Sequence, residues 1–208
     1  MTNSGLMEKL KDSTRAMHDS AESSQFQGRL ANGALPRQLY IDYLEQLYLV
    51  HSQLEQAIRK ISGETQNIVT DEQLQEPFLR QDLENFGKTV DDIKPLPATS
   101  KLVNQISDLS KSFPLALLGM HYVLLGSKHG GKFVAKACQD SYNLVDGKGA
   151  LYFDPYGPNF MPIWKTFKES MNDLPLNEGE IDKVCSAAGQ MFNSIGEIGN
   201  ELMPAAHR

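Results

Sequence analysis

The sequence predicts an all-α fold, one bundle of about eight helices, and three observations lead there. Apolar residues recur at helical spacing over long segments, as in Leu39, Tyr43, Leu47, Val50, Leu54 and Ile58. Glycine and proline clusters punctuate the chain at helix-length intervals. No alternating apolar and polar run is long enough for a strand, and neither an internal repeat nor a low-complexity tract occurs. At 208 residues the chain fits a single domain, 1–208, with an ordered core over about 6–202.

The elements follow in order. Leu6, Leu10, Met17 and Ala21 place a first helix over about Gly5 to Ser24. Gly28 to Pro36 reads as a turn, and Pro36 opens a second helix to about Ile61. After a loop from Ser62 to Thr70, Thr70 with Gln73 resembles a capping box for a third helix to Phe86, with Pro77 as a kink or a new start. Helical patterns follow at Ser100 to Leu109 and from Pro114 to Tyr142. Gly147 to Pro162 is an irregular excursion, a helix resumes over Met161 to Leu174, and Asn177 with Glu180 caps a last helix to about Leu202.

Hydrophobic residues make up 40% of the chain and charged residues 22%, a globular balance, and a net charge of −6 argues against nucleic acid as a partner. Cys138 and Cys185 lack a ligand-like spacing, so reduced thiols in a cytoplasmic protein are expected. The apolar stretch Pro114 to Gly126 is shorter than the roughly 20 residues a bilayer span needs, so no membrane role is expected.

Two segments carry chemistry. His18 and Glu22 are four residues apart, about 40° on a helix, so the carboxylate could accept the Nδ1–H and leave Nε2 free for a metal. An ordinary surface pair is the alternative. The second segment holds Gly119, Gly126, Gly130 and Gly131, although each interior glycine costs a helix roughly 1 kcal/mol. Gly119, Gly126 and Gly130 project within about 40° of one another, leaving a face of nearly bare backbone for another helix or for a flat ligand.

The runs LKDSTRAMHDSAE around His18, LYLVHSQLE at Leu47 to Glu55, LRQDLENFG at Leu79 to Gly87, YVLLGSKHGG at Tyr122 to Gly131 and FKESMNDL at Phe167 to Leu174 together resemble haem oxygenases in order and spacing. The resemblance covers about Leu6 to Leu202. It implies a helical fold that holds haem b, iron protoporphyrin IX, as cofactor and substrate, and cleaves it with O2 to biliverdin, CO and ferrous iron. Electrons would come from a donor such as ferredoxin or a flavoprotein reductase. Carried over by position, His18 is the iron ligand with Glu22 orienting it, while Gly126, Gly130 and Gly131 belong to the open distal helix. Lys11, Lys168 and, from an adjacent position, Lys165 would meet the propionates; Trp164 stands where the family has a lysine. Phe192 would line the pocket, as would Tyr122 if the register differs by one from His121.

The departures fall on the distal side. Ser127 replaces the family's usual aspartate, His51 falls on a tyrosine position and His129 on a small residue. A hydroxyl holds water but carries no charge at neutral pH. His51 or His129 is expected to organise the distal waters instead, His51 the more readily. On an ideal helix His129 projects about 160° from Ser127, so only a bend would bring it inward. A haem carrier with weak turnover and a thiaminase-like enzyme on the same scaffold are the competing readings.

Overall fold

The computed structural model describes residues 5–61, 63 and 67–203, without the side chain of Glu22. It contains nine α-helices and no strand among these residues: α1 (Leu6–Glu22), α2 (Gln25–Ala31), α3 (Arg37–Ile58), α4 (Glu76–Asn85), α5 (Pro97–Ser112), α6 (Ala116–Gly126), α7 (Gly131–Tyr142), α8 (Phe160–Asn172) and α9 (Glu178–Leu202). The count exceeds eight because the segment read as a turn forms α2 and the helix expected over Pro114 to Tyr142 divides into α6 and α7. The Ser24 hydroxyl accepts from the Gln27 amide, and Phe26 and Leu30 are buried.

Buried apolar side chains form one contiguous cluster from Leu6 to Met203. The long α9 is its spine and packs against α6 and α1, while α3 packs against α4 and α5. Asn177 and Glu180 start α9 with a reciprocal cap, the Glu180 amide donating to Asn177 Oδ1 at 3.1 Å and the Asn177 amide to Glu180 Oε2 at 2.9 Å. The expected cap at Thr70 does not form; Asp71–Gln73 is a 3₁₀ turn. Instead α4 starts at Glu76, with Pro77 in its first turn, and the buried Glu55 carboxylate of α3 accepts from the amides of Gln75 at 2.8 Å and Glu76 at 3.0 Å. A carboxylate at a helix N-terminus satisfies orphan amides and complements the dipole.

The single helix expected from Pro114 to Tyr142 is broken. Between α6 and α7 lies a 3₁₀ turn over Ser127–His129. Two side chains capture carbonyls where α6 ends: Ser127 Oγ donates to Leu124 at 2.7 Å and His129 Nδ1 to Gly126 at 2.8 Å. Such local donors compete with the helical ladder and end it.

Candidate functional site

On α1, Lys11, Thr14, Arg15 and His18 follow helical spacing and share one side of a cleft. The His18 side chain is 55% exposed, and its Nδ1 lies 3.8 Å from Asp19 Oδ1. Phe192 of α9 meets the imidazole edge-on, with ring centroids 6.0 Å apart. The facing wall is the end of α6 and its turn, with Tyr122, Gly126 and His129, closed by Trp164 and Lys168 of α8. The cleft holds about 520 Å³. A cleft of this size accommodates a cofactor.

The structure therefore brings together Lys11, His18, Tyr122, Gly126, His129, Lys168 and Phe192 from four separate stretches of sequence. His121, one residue from Tyr122, points instead into the core, where its Nε2 lies 3.3 Å from Gln73 Oε1. The 3₁₀ turn explains His129. Residues three apart eclipse one another in this geometry, so the imidazole falls over Gly126.

Other expected positions lie elsewhere. His51 is buried in α3; its Nδ1 is 3.0 Å from Glu55 Oε1 and its Nε2 3.1 Å from the Tyr152 hydroxyl. It does not line the cleft, because these two partners hold both ring nitrogens inside the bundle. The preference for His51 over His129 is thus reversed by the broken helix. Ser127 is exposed, its hydroxyl turned back onto Leu124. Gly130 is also exposed, and Gly131 faces away, against the carbonyl of Phe153. Gly119 abuts the Val184 carbonyl of α9, so the glycines do not form one bare face: Gly119 and Gly131 serve close packing and only Gly126 opens on the cleft. Lys165 lies 3.8 Å from Glu169 and borders a neighbouring depression that shares Trp164 and Lys168. The Glu22 side chain and His207 lie outside the described residues.

Sequence reasoning missed Thr14, Arg15 and Asp19, whose spacing from His18 already put them on or beside its face. It also missed Trp164 as a wall: a Cβ built on Gly126 would sit 3.5 Å from the indole. Lys128 was missed entirely. It is buried, with Nζ 3.2 Å from the centroid of Tyr152. Asp82 lies in the same region and accepts from the amides of Gly149, Leu151 and Tyr152 at 2.8 to 2.9 Å. Burial pushes Asp82 up to about 6 against those bonds, lowers Lys128 well below the usual ammonium range despite Asp82 and Glu55, and lowers His51. Against burial, which would raise it, Glu55 is kept below the usual carboxylate range by His51 and the two amides; as a carboxylate it only accepts, so His51 donates to it through Nδ1 and accepts from Tyr152.

The donor set fits haem. Porphyrin supplies four nitrogens to its iron, so one imidazole suffices, whereas no group of three or more His, Cys, Asp or Glu side chains suited to a bare metal ion occurs among the described residues. Lys11, Arg15 and Lys168 outnumber Asp19 around the cleft of a chain whose net charge is −6, which suits a flat ligand bearing carboxylates. Fold and cleft together define a helical scaffold built to clasp a planar anionic group.

The chain belongs to the haem oxygenase family: the family model described as Heme oxygenase matches residues 4–201. It is similar to heme oxygenase 1 of the cyanobacterium Synechocystis, 25% identical over 95% of this chain and 84% of the relative. The Rhodella violacea heme oxygenase is 26% identical over 93% and 85%. The crystal structure of the Synechocystis heme oxygenase-1 in complex with heme superposes with a TM-score of 0.87 at 25% identity, covering 96% of this chain and 92% of that one. The Leptospira interrogans heme oxygenase gives 0.87 at 27% identity, over 95% and 100%. A putative TenA-like thiaminase from Sulfolobus solfataricus shares the fold, with a TM-score of 0.68 at 11% identity. Among the described residues no helix is long and apolar enough to cross a membrane.

Proposed function

We propose that this chain is a cytoplasmic haem oxygenase that takes haem b into the α1–α6 cleft and opens it with O2 and electrons from a ferredoxin or a flavoprotein reductase. The observation that carries the reading is His18 facing Gly126 across one cleft flanked by cations. Bound haem would supply both the iron that activates O2 and the ring that is cleaved, yielding biliverdin, CO and ferrous iron.

The chain's own residues hold and orient it. Nδ1 of His18 lies 3.8 Å from Asp19 Oδ1, and with Nε2 as the ligand atom a carboxylate beside the other ring nitrogen would raise ligand basicity. Lys11, Arg15 and Lys168 line the cleft and would hold the propionates. Gly126 lets backbone approach the ligand face, and Tyr122, Trp164 and Phe192 exclude water from its edges. The test is haemin titration followed by ascorbate, or by ferredoxin with its reductase. Soret loss with appearance of biliverdin is expected; no Soret change on adding haemin would overturn the reading and favour a haem-independent enzyme.

A second reading is a haem carrier with weak turnover, favoured by one observation. Among the described residues the one carboxylate lining the cleft is Asp19, on the His18 side, and Ser127 turns its hydroxyl away. A Soret band that survives the reductant would support the carrier.

A further inference from the structure

We propose that His129 is a second axial ligand of the haem iron, opposite His18, in the resting ferric protein; this rests on the reading that the cleft holds haem. His129 and His18 line the same cleft from facing elements, the turn after α6 and α1. The contact between His129 Nδ1 and the Gly126 carbonyl is 2.8 Å, and a carbonyl only accepts, so Nδ1 carries the proton. In the neutral ring the lone pair is then on Nε2. Metal-ligating histidines are typically prepared in this way, with the far ring nitrogen donating to a backbone carbonyl.

The ring is also held in place. Phe160 and Trp164 meet it edge to face, at centroid distances of 4.7 and 4.9 Å and interplanar angles of 87° each. Yet the residue is exposed, and Nε2 makes no hydrogen bond among the described residues. An imidazole fixed on three sides, its lone pair unspent and its position eclipsing the glycine that opens on the cleft, is arranged for a ligand rather than for the core. Buried His51 and His121 show the contrast, since their side chains face partners inside the bundle. In the ferric complex the Nε2 lone pair takes the coordination position that water would otherwise hold, with no change in oxidation state. Binding of O2 or another small ligand then requires His129 to yield that position.

The test uses the full chain loaded with haemin, and reads absorption and electron paramagnetic resonance from about pH 6 to about pH 10, the range in which a metal-bound water can deprotonate. The expected result is a low-spin spectrum unchanged over that range, because no bound water is present to titrate. His129→Ala, at an exposed position, should still take up haem, become high-spin and acquire a pH-dependent spectrum. Azide should bind this variant at least about tenfold more tightly, because no protein ligand competes. A wild-type complex that is water-ligated and pH-dependent overturns the second ligand while leaving the haem site intact. So does a low-spin spectrum that survives in His129→Ala. Failure of the wild type to take up haem at all overturns the haem reading itself, and this inference with it.

Discussion

Lys128 Nζ lies 3.2 Å from the ring centroid of Tyr152, in the core directly behind the turn that carries Gly126 and His129. No hydrogen-bond acceptor reaches the amine among the described residues, and burial lowers its affinity for a proton. Cation–π attraction and packing hold it there, at a cost in desolvation. Lys128→Met keeps the volume and the contacts with Tyr152 and Phe153 while removing the buried amine. It should leave stability unchanged or raise it by about 1–2 kcal/mol in denaturant unfolding, whereas Lys128→Ala should cost about 2–4 kcal/mol through the cavity it leaves. A loss of equal size in both variants would mean that the amine makes an essential bond.

The two glycines of α6 should respond oppositely to the same substitution. A Cβ on Gly119 would enter the space of the Val184 carbonyl, so Gly119→Ala forces α6 and α9 apart and should cost about 2 kcal/mol or more. A Cβ on Gly126 makes only an ordinary contact with Trp164, so Gly126→Ala should be neutral or slightly stabilising. It nevertheless puts a methyl on the ligand-facing backbone and should weaken haem uptake by about tenfold. Thermal unfolding and haemin titration of both variants check the contrast.

His51→Ala should damage the fold and spare the ligand. Truncation leaves the Tyr152 hydroxyl without its partner and opens a cavity beside Glu55, at about 2–4 kcal/mol. Because His51 does not line the cleft, haem affinity of the folded variant should stay within about threefold of wild type. A large affinity loss without a stability loss would return His51 to the site.

Two buried groups give opposing pH dependence. Burial lowers His121 to about 4, so the folded chain keeps it neutral while the unfolded chain protonates it near its ordinary value of 6.5. Its contribution is present above about pH 6.5 and is lost as pH falls toward about 4, by up to about 3 kcal/mol. Asp82 has the reverse sign, being raised from 3.8 to about 6. Its contribution is present below 3.8 and is lost as pH rises through about 6. The two nearly cancel between about pH 4 and pH 6, while His51, also lowered by burial, adds to the His121 side. Relative to wild type, His121→Gln should lose stability as pH rises across that window, as measured by urea midpoints.

Helical periodicity made most of the fold legible, and the Asn177 cap was readable because both partners lie within four residues. The cap on α4 was not, since Glu55 reaches it from another helix and no local spacing encodes that contact. On the site, His18 and its face followed from helical spacing on α1. The distal side was misjudged for one physical reason: ideal-helix projection assumes continuity through Ser127 and His129, whose own side chains break it by bonding Leu124 and Gly126. That break puts His129 on the cleft and turns Ser127 away.

Ligation of haem iron by His18 in this cleft is tested most directly by His18→Ala, with haemin titrations of wild type and variant followed by absorption and electron paramagnetic resonance. The variant should lose the wild-type axial signature, and added imidazole should restore it. An unchanged signature in His18→Ala, without imidazole, would contradict ligation by His18.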